Sequence, residues 1–483
     1  MHFLSIQRLL GLMLMVFSVL LLPPVFVSWL YHDGEMHVFL LGAAVVFLLG
    51  LVSWLPASRS KAELRVREGF LIVVLFWVVL GLVGSLPLIL AEQPHLSVTD
   101  AVFESLSGLT TTGATVITGL DDLPASILFY RQQLQWLGGM GIIVLAVAIM
   151  PMLGVGGMQL YRAETPGPLK DAKLTPRITE TAKALWYIYL GLTIACGVSY
   201  WFAGMTAFDA IGHSFSTISI GGFSTHDQSI GYFESPTIEM IAVIFMLLAG
   251  MNYALHFTAW RSISLRPYLH DSEVKTYLVV LMLVTAITVV YLYYTHTFIL
   301  FSDALHVGLF QVISIGTTTG FTTTEYFVWQ GFLPVLLLFV SFIGGCAGST
   351  GGGMKVIRFL LLLKQGHREI MRLIHPNAQI PVKIGQKSIP DRVLQAIWGF
   401  FAAYIGSFVA IMLFVMATGL DQVTAFSAVA ACMNNLGPGL GDVGANYVTI
   451  NDPAKWALSF AMLLGRLEVF TLVVLFSRAF WRH

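Results

Sequence analysis

The amino-acid sequence predicts an all-α polytopic membrane protein of about ten transmembrane helices, with two extra N-terminal helices followed by four span-loop-span repeats. Three observations predict this fold. Of the 483 residues, 57% are hydrophobic and only 11% are charged, whereas soluble domains have roughly 25% charged residues. About ten apolar stretches reach the roughly 20 residues that cross the hydrocarbon core. Four shorter apolar segments between them end in clusters of glycine, threonine and serine.

The ends of the apolar stretches are defined only approximately by the sequence. The first contains no small-residue cleavage site at its end, so it is expected to be a retained helix rather than a cleaved signal peptide. The predicted spans lie near residues 5–30, 38–56, 70–92, 133–155, 183–204, 236–260, 276–300, 331–363, 393–418 and 455–478.

The basic residues predict the orientation in the membrane. If consecutive spans cross in alternate directions, all 26 lysines and arginines except Arg131, Lys455 and the intramembrane Arg466 lie on one side. The positive-inside rule makes that side cytoplasmic, with both termini on it. The formal net charge of zero gives no reason to expect a nucleic-acid partner. The three cysteines have no CxxC spacing and predict neither a disulfide framework nor a metal site.

The four shorter segments have the length of re-entrant pore helices. Each carries an acidic residue at or near its start, where a carboxylate complements the helix dipole. A helix of about 12 residues rises roughly 18 Å and reaches halfway into a bilayer. The segments are Asp100–Thr115, Asp209–Thr225, Asp303–Thr323 and Asp421–Gly441.

One glycine aligns the four segments as an internal repeat. The aligned residues are Gly113, Gly222, Gly320 and Gly437, and each is followed in the next span by Gly139, Gly250, Gly345 or Gly465. The predicted organisation is two extra N-terminal helices in 1–60, pore repeat 1 in 61–165, repeat 2 in 166–265, repeat 3, with a broken second span, in 266–375, and repeat 4 in 376–483.

Four such loops around one axis predict a potassium-selective pore. Rings of backbone carbonyls replace the water shell of a potassium ion, and the backbone angles that aim them inward favour glycine. Simple close packing of helices through small residues is the alternative, but it does not explain four glycines in one frame. The predicted potassium ligands are Thr111, Thr112, Gly113, Ile220, Gly221, Gly222, Thr318, Thr319, Gly320, Asn435, Leu436 and Gly437.

The repeats, the two leading helices and several short motifs resemble the Trk/Ktr/HKT superfamily of potassium transporters. The motifs are Arg67-Glu68-Gly69-Phe70, Gly212-His213-Ser214-Phe215, His375-Pro376-Asn377 and Gly465-Arg466-Leu467-Glu468-Val469-Phe470. The resemblance implies potassium uptake, a homodimer in the bacterial inner membrane, and regulation by TrkA, a cytosolic nucleotide-binding subunit. It also implies that the four aligned glycines are filter glycines, the first of which is serine in sodium-permeable relatives. No organic cofactor is expected in this chain.

Two features of the sequence predict that the four loops are not equivalent and that a gate lies below them. The fourth loop has Asn435 and Leu436 where the first and third have threonines, so perfect fourfold symmetry of the ion sites is not expected. The eighth span is interrupted by Gly344–Gly353, and because glycine costs a helix about 1 kcal/mol relative to alanine, a loop is predicted below the filter. In the family the corresponding loop is an intramembrane gate; a kink in a crowded dimer is the alternative. The predicted gate residues are Gly344, Gly345, Gly348, Gly351, Gly352, Gly353 and Arg466.

The role of the gate candidates depends on their surroundings. A phosphate-binding loop is excluded, since Met354 separates Gly353 from Lys355 and no GxxxxGK[ST] motif results. Arg466 is predicted either to raise the barrier for cations near the axis or to form a structural ion pair, with Glu468 the nearest candidate.

His213, His256 and His306 are predicted to be core histidines rather than metal ligands. The roles of Glu104 and Asn252 are left open.

Two transport mechanisms fit the sequence. The membrane potential supplies roughly 2.3 kcal/mol per charge per 100 mV, which is enough for potassium uptake through a channel-like pore. A proton- or sodium-coupled symporter using the same pore is the alternative, but the sequence shows no buried carboxylate in the pathway beyond the loop-starting aspartates and Glu104. No catalytic pair or metal set predicts an enzyme, and no arginine-repeat helix predicts a voltage sensor.

Overall fold

The computed structural model describes residues 2–60, 66–144, 178–385 and 387–482. Their secondary structure is helical apart from a two-stranded antiparallel ladder, β1 (Lys383–Ile384) and β2 (Lys387–Ser388). The cytoplasmic end of the predicted span 133–155 and most of the following loop lie outside the described residues. Within the described residues, six helices are long and apolar enough to cross a membrane, and two bent helix pairs raise this number to eight.

The two extra N-terminal helices form the predicted antiparallel pair. The first span, Phe3–Tyr31, consists of α1 (Phe3–Val19) and α2 (Leu22–Tyr31), and the second is α3 (Met36–Ala57). Gly11 and Gly50 lie where the two spans cross. A Cβ atom on Gly11 would be 2.7 Å from the carbonyl oxygen of Gly50, so the small residues allow the backbones to touch.

The remaining helices follow the predicted order of long helix, short helix, loop and second span. The first unit contains α4 (Val66–Gly84), α5 (Leu86–Leu90), α6 (Val98–Leu109) and α7 (Ala125–Val144), and the second contains α8 (Ile178–Phe202), α9 (Ala207–Ser219), α10 (Pro236–Ala249) and α11 (Tyr253–Ser262). The short α12 (Arg266–His270) precedes the third unit, α13 (Ser272–Tyr294), α14 (Phe301–Gly316), α15 (Leu333–Ile343) and α16 (Val356–Ile374). The fourth contains α17 (Asp391–Ala417), α18 (Gln422–Met433), α19 (Asp452–Arg466), α20 (Phe470–Val473) and α21 (Arg478–Trp481).

Two of the predicted spans, 236–260 and 455–478, are sharply bent, a feature that the hydropathy pattern does not predict. The axes of α10 and α11 meet at 96°, and the axis turns by 109° after α19. Asn252 ends the first break by capping α11, because its side-chain oxygen accepts the N–H of Ala254 at 2.8 Å. Glu468 and Val469 make the second break with left-handed φ values of 55° and 50°. The broken span predicted for the third repeat is therefore one of three.

The short helices α6, α9, α14 and α18, called the pore helices below, occupy the buried centre of the molecule. Two of them begin with a capping arrangement: Ser97 accepts the N–H of Asp100 at 3.1 Å, and Thr206 accepts that of Asp209 at 3.1 Å. Asp421 caps α18 with its own carboxylate. Residues 425 and 427–433 of α18 are all buried, whereas the long helices around the pore helices expose many large apolar side chains. This arrangement suits a protein with lipid around its outer surface and a polar cluster of loops at its centre.

Candidate functional site

The four loops that follow the pore helices share one backbone geometry. Two residues before the aligned glycine, each chain turns through left-handed φ at Thr111 (54°), Ile220 (56°), Thr318 (69°) and Asn435 (52°). The next residue then donates its N–H to the carbonyl five residues earlier at 2.8 Å, in the pairs Thr112–Ser107, Gly221–Ser216, Thr319–Ser314 and Leu436–Ala431. This is the Schellman arrangement that ends a helix. The fourth loop therefore departs in its side chains but repeats the backbone of the others.

The aligned glycines join the loops in a closed cycle. Their φ values are 80°, 82°, 85° and 92°, in the region that favours glycine. A Cβ atom on each would lie against the carbonyl oxygen of the residue that precedes the glycine of the next loop. These distances are 2.1 Å from Gly113 to Gly221, 2.0 Å from Gly222 to Thr319, 2.1 Å from Gly320 to Leu436 and 2.7 Å from Gly437 to Thr112. All twelve predicted ligand residues thus meet in one ring of loops.

The first loop is held by a buried ion pair between Arg131 and Glu104. Arg131, expected on the external side, is 1% exposed, and its Nε donates to Glu104 at 2.8 Å. Glu104 also accepts the backbone N–H of Val116 at 2.9 Å and the hydroxyl of Thr115 at 3.0 Å. Glu104 is therefore a support of the first loop, a role that the sequence left open.

The same part of α7 supports the second loop. Gln135 donates its side-chain amide to the carbonyl of Gly221 at 2.6 Å and accepts the N–H of Phe223 at 3.0 Å. Gln132 donates to the carbonyl of Phe223 at 3.2 Å, and the Arg131 guanidinium lies 4.3 Å from the Phe223 ring centroid. The sequence signal for these residues is the polar run 131–135 inside an otherwise apolar span, which the sequence analysis did not use.

Hydroxyl groups hold the third and fourth loops. Ser314 donates to the carbonyl of Phe321 at 2.6 Å, and Tyr447 donates to that of Gly437 at 2.7 Å. Between the neighbouring fourth and first loops of the ring, the side-chain amide of Asn435 donates to the hydroxyl of Thr112 at 2.9 Å. The asparagine of the fourth loop therefore links it to the first loop, and the side-chain symmetry of the ring is broken as expected.

The glycine-rich segment Gly344–Gly353, called the glycine loop below, is non-helical as predicted and lies against the ends of three pore helices. Gly353 donates its N–H to the carbonyl of Asn434 at 3.1 Å, and Gly352 donates to the hydroxyl of Thr318 at 2.7 Å. The hydroxyl of Thr350 donates to the carbonyl of Ile218 at 2.9 Å. A Cβ atom on Gly352 would lie 1.9 Å from the Asn434 carbonyl oxygen, so a larger residue there would displace the loop from the ring.

Arg466 connects the glycine loop to the first repeat. It is 6% exposed, and it donates to the carbonyl of Thr350 at 3.1 Å and to that of Gly138 at 3.1 Å. The ion pair proposed for it with Glu468 is wrong, because the Glu468 carboxylate accepts a hydrogen bond from the guanidinium of Arg358. The positive charge of Arg466 is thus held by carbonyl dipoles beside the loop.

Of the three isolated histidines, His213 and His256 are buried core residues as predicted, whereas His306 is not, because its side chain is 26% exposed. His213 hydrogen-bonds to the carbonyl of Asp209 at 2.8 Å and the hydroxyl of Ser224 at 2.9 Å. His256 contacts Tyr268 and the Leu248 carbonyl, and His306 contacts Glu239 at 2.7 Å. Across the described ranges, no group of three or more histidine, cysteine, aspartate or glutamate side chains could hold a metal ion.

Known proteins resemble this chain in sequence and in structure. The family of cation transport proteins called TrkH matches residues 35–482. A Vibrio parahaemolyticus Trk system potassium uptake protein TrkH is 58% identical over all of both chains, and the TrkH of Escherichia coli K12 is 57% identical over all of both chains. The crystal structure of the V. parahaemolyticus potassium transporter TrkH superposes with a TM-score of 0.92 at 56% identity, covering all of both chains. The chain is thus a multi-pass membrane protein of a transport family rather than an enzyme, and it belongs to the TrkH cation transport family.

Proposed function

We propose that the chain conducts potassium ions selectively through the ring of four loops and so supports potassium uptake. The observation that carries this proposal is the closed cycle in which each aligned glycine lies against a carbonyl of the next loop. Because glycine has no side chain at these contacts, the four backbones can approach one axis. Carbonyl rings of this kind replace the water shell of a potassium ion. The relatives named as potassium uptake proteins support the choice of ion.

The pore helices favour cations at the same place. Each ends at the ring, and the C-terminal end of a helix carries a partial negative charge. The negative ends of four helix dipoles therefore lie next to the carbonyls of the ring. Irregular backbone at membrane depth is stable only when it is buried in protein or lines an aqueous cavity. Nine of the twelve ring residues are buried, and Gly113, Gly222 and Gly320 are partly exposed. The proposed ligands are the twelve residues of the ring.

The glycine loop and Arg466 form the proposed gate. The loop lies directly against three pore-helix ends through Ile218, Thr318 and Asn434. Arg466 holds the loop by the carbonyl of Thr350 and places a positive charge beside it. Conduction then requires the loop and the guanidinium to leave the path. Glycine lowers the cost of changing the backbone angles of the loop.

Assembly and regulation complete the proposal. The chain acts as a homodimer in the bacterial inner membrane with both termini cytoplasmic, and TrkA supplies nucleotide-dependent control from the cytosol. The support is membership in a Trk system, which the names of the relatives state. Potassium is the transported substrate, and no organic cofactor is assigned to this chain.

Ion-coupled symport remains the second candidate function, and the contacts of the two buried carboxylates that bind the ring and the glycine loop disfavour it. Glu104 is paired with Arg131 and accepts two further hydrogen bonds, so it has no free site for a travelling proton. The structure adds the buried Glu273, which the sequence analysis did not single out, but this carboxylate accepts two backbone N–H groups. Both carboxylates have structural partners.

The test is ion flux through the purified protein in liposomes. Potassium and sodium currents measured under imposed potassium and pH gradients give the permeability ratio and any coupling to protons. Potassium selectivity and a reversal potential independent of pH support the proposal. A reversal potential that follows the pH gradient favours the symporter, and equal potassium and sodium permeability rejects the filter.

A further inference from the structure

The carboxylate of Glu273 joins two backbone positions, Ala347 within the glycine loop and Ile357 just after it, and these two positions are called the ends of the loop below. Its Oε1 atom accepts the backbone N–H of Ala347, near the start of the loop, at 2.7 Å. The same atom accepts the N–H of Ile357, in the first turn of α16, at 3.1 Å. Glu273 itself is 9% exposed and lies in the first turn of α13. We infer that Glu273 is a positioning residue that fixes the ends of the glycine loop and thereby holds the loop against the pore helices, an inference that rests on the gate proposed above.

The two N–H groups need an acceptor from another element. The amide of Ile357 belongs to the first turn of α16, where helix N–H groups have no partner within their own helix. The amide of Ala347 lies in non-helical backbone, buried beside Cys346. A carboxylate is a strong acceptor for both, and its negative charge is favourable at a helix N-terminus. One side chain therefore satisfies two buried donors that are ten residues apart.

The ends that Glu273 fixes lie outside the part of the loop that touches the ring. Between Ala347 and Ile357, Thr350 and Gly352 make the contacts to the pore helices. Opening requires these contacts to break, and the ends determine where the loop returns. A second anchor lies on the same side, where the backbone N–H of Cys346 donates to the carbonyl of Gly250 at 2.8 Å. Glu273 and the break of the second repeat together hold the loop from its cytoplasmic side.

The other charged groups around the loop have different partners. The Lys355 ammonium donates to the carbonyl of Gly351, and the Arg358 guanidinium donates to Glu468. Arg466 donates to Thr350 and Gly138. Glu273 thus adds a negative charge to a cluster with three cations, and it does so by bonding the backbone of the loop rather than a cationic side chain.

Glu273 also stands directly after the cytoplasmic corner between α12 and α13. The corner is fixed by Asp271, whose carboxylate accepts the N–H of Val274 at 2.9 Å. Within α12, the hydroxyl of Tyr268 hydrogen-bonds to the imidazole of His256 in α11 at 2.7 Å. A movement of α12 is therefore passed to both anchors of the loop, to Glu273 through α13 and to the break of the second repeat through α11. This places Glu273 between the cytoplasmic surface and the proposed gate.

The test compares resting potassium flux through full-length variants in liposomes. Glu273→Ala removes both hydrogen bonds, and we expect resting flux to rise about ten- to a hundredfold, since each bond to a charged acceptor changes an equilibrium by about tenfold. Glu273→Asp is too short to reach both amides and should give a smaller rise. Glu273→Gln keeps the accepting oxygen and should stay within about threefold of the original flux. The potassium to sodium permeability ratio should be the same in all three, because the ring is unchanged.

Two reference variants separate this inference from the proposed gate. Arg466→Ala tests the gate alone, and Glu239→Gln changes a buried carboxylate that pairs with His306 of α14 rather than with the glycine loop. If Arg466→Ala raises flux but neither Glu273→Ala nor Glu273→Asp does, Glu273 is not the positioning residue. If Arg466→Ala leaves flux unchanged, the barrier assigned to Arg466 fails, and the Glu273 variants still decide this inference. A fall in flux, or a rise equal to that of Glu239→Gln, overturns it.

Discussion

Serine in place of Gly113 tests the proposed filter at a single contact. Gly113 has φ of 80°, and an added Cβ would lie 2.1 Å from the carbonyl oxygen of Gly221. To restore even a 3.0 Å contact, the carbonyl of the second loop or the whole first loop must withdraw by about 0.9 Å, which displaces a carbonyl that the proposed filter uses to replace the water shell of the ion. The left-handed backbone adds about 1–2 kcal/mol of strain. We expect the potassium to sodium permeability ratio to fall at least tenfold, equivalent to about 1.4 kcal/mol.

The assay is the bi-ionic reversal potential of the Gly113→Ser variant in liposomes, with potassium on one side and sodium on the other. Gly119→Ala is the matched control, because Gly119 also has left-handed φ, 71°, but no described atom lies within 4 Å of its added Cβ. That variant carries the backbone strain without the contact and should keep the original selectivity. Alanine at Gly437, whose Cβ would be 2.7 Å from the Thr112 oxygen, should reduce selectivity less than alanine at Gly113. An unaltered ratio in Gly113→Ser, with normal folding, would refute the reasoning.

Three other variants probe the surroundings of the ring. Glu104→Gln leaves a buried guanidinium without its anion and should lower the free energy of unfolding by about 3 kcal/mol, measured by thermal unfolding in detergent; an unchanged midpoint contradicts this. Arg466→Ala should increase potassium flux, and unchanged or reduced flux in a folded variant rejects the barrier role. Burial lowers the pKa of the external His226, but hydrogen bonds to Asp209 and Asp121 outweigh it and raise the pKa above 6.5. Because a raised pKa stabilises the fold at low pH, this contribution should be lost as pH rises through the folded pKa, and His226→Gln should flatten that dependence of the unfolding midpoint.

The repeat was predictable because each loop contains one residue type that its backbone requires. Left-handed φ at a position pressed against a carbonyl admits glycine almost alone, so Gly113 and its three counterparts were visible without a structure. The preceding left-handed position was not visible. It is occupied by Thr111, Ile220, Thr318 and Asn435, and no common side chain marks it because a helix-ending hydrogen-bond pattern, rather than composition, imposes the angle.

The supports of the ring and the bends were missed for a different reason. The charge asymmetry of the loops predicts only the side of the membrane on which Arg131 lies, whereas its ion-pair partner Glu104 lies on another helix. Similarly, Glu468 is near Arg466 in sequence but bonds Arg358 across the fold. The bends at Asn252 and Val469 depend on capping and backbone angles at single residues, and hydropathy averaged over a span does not detect them.

The most direct measurement is the reversal potential of the unmodified protein in liposomes with a tenfold potassium gradient, equal sodium on both sides and a variable pH gradient. Selective, uncoupled conduction through the ring predicts a reversal potential close to the potassium equilibrium value, roughly 59 mV in magnitude for a single charge, and the same value at every pH gradient. A potential near zero would contradict selective conduction by the ring of four loops, and one that moves with the pH gradient would contradict uncoupled conduction.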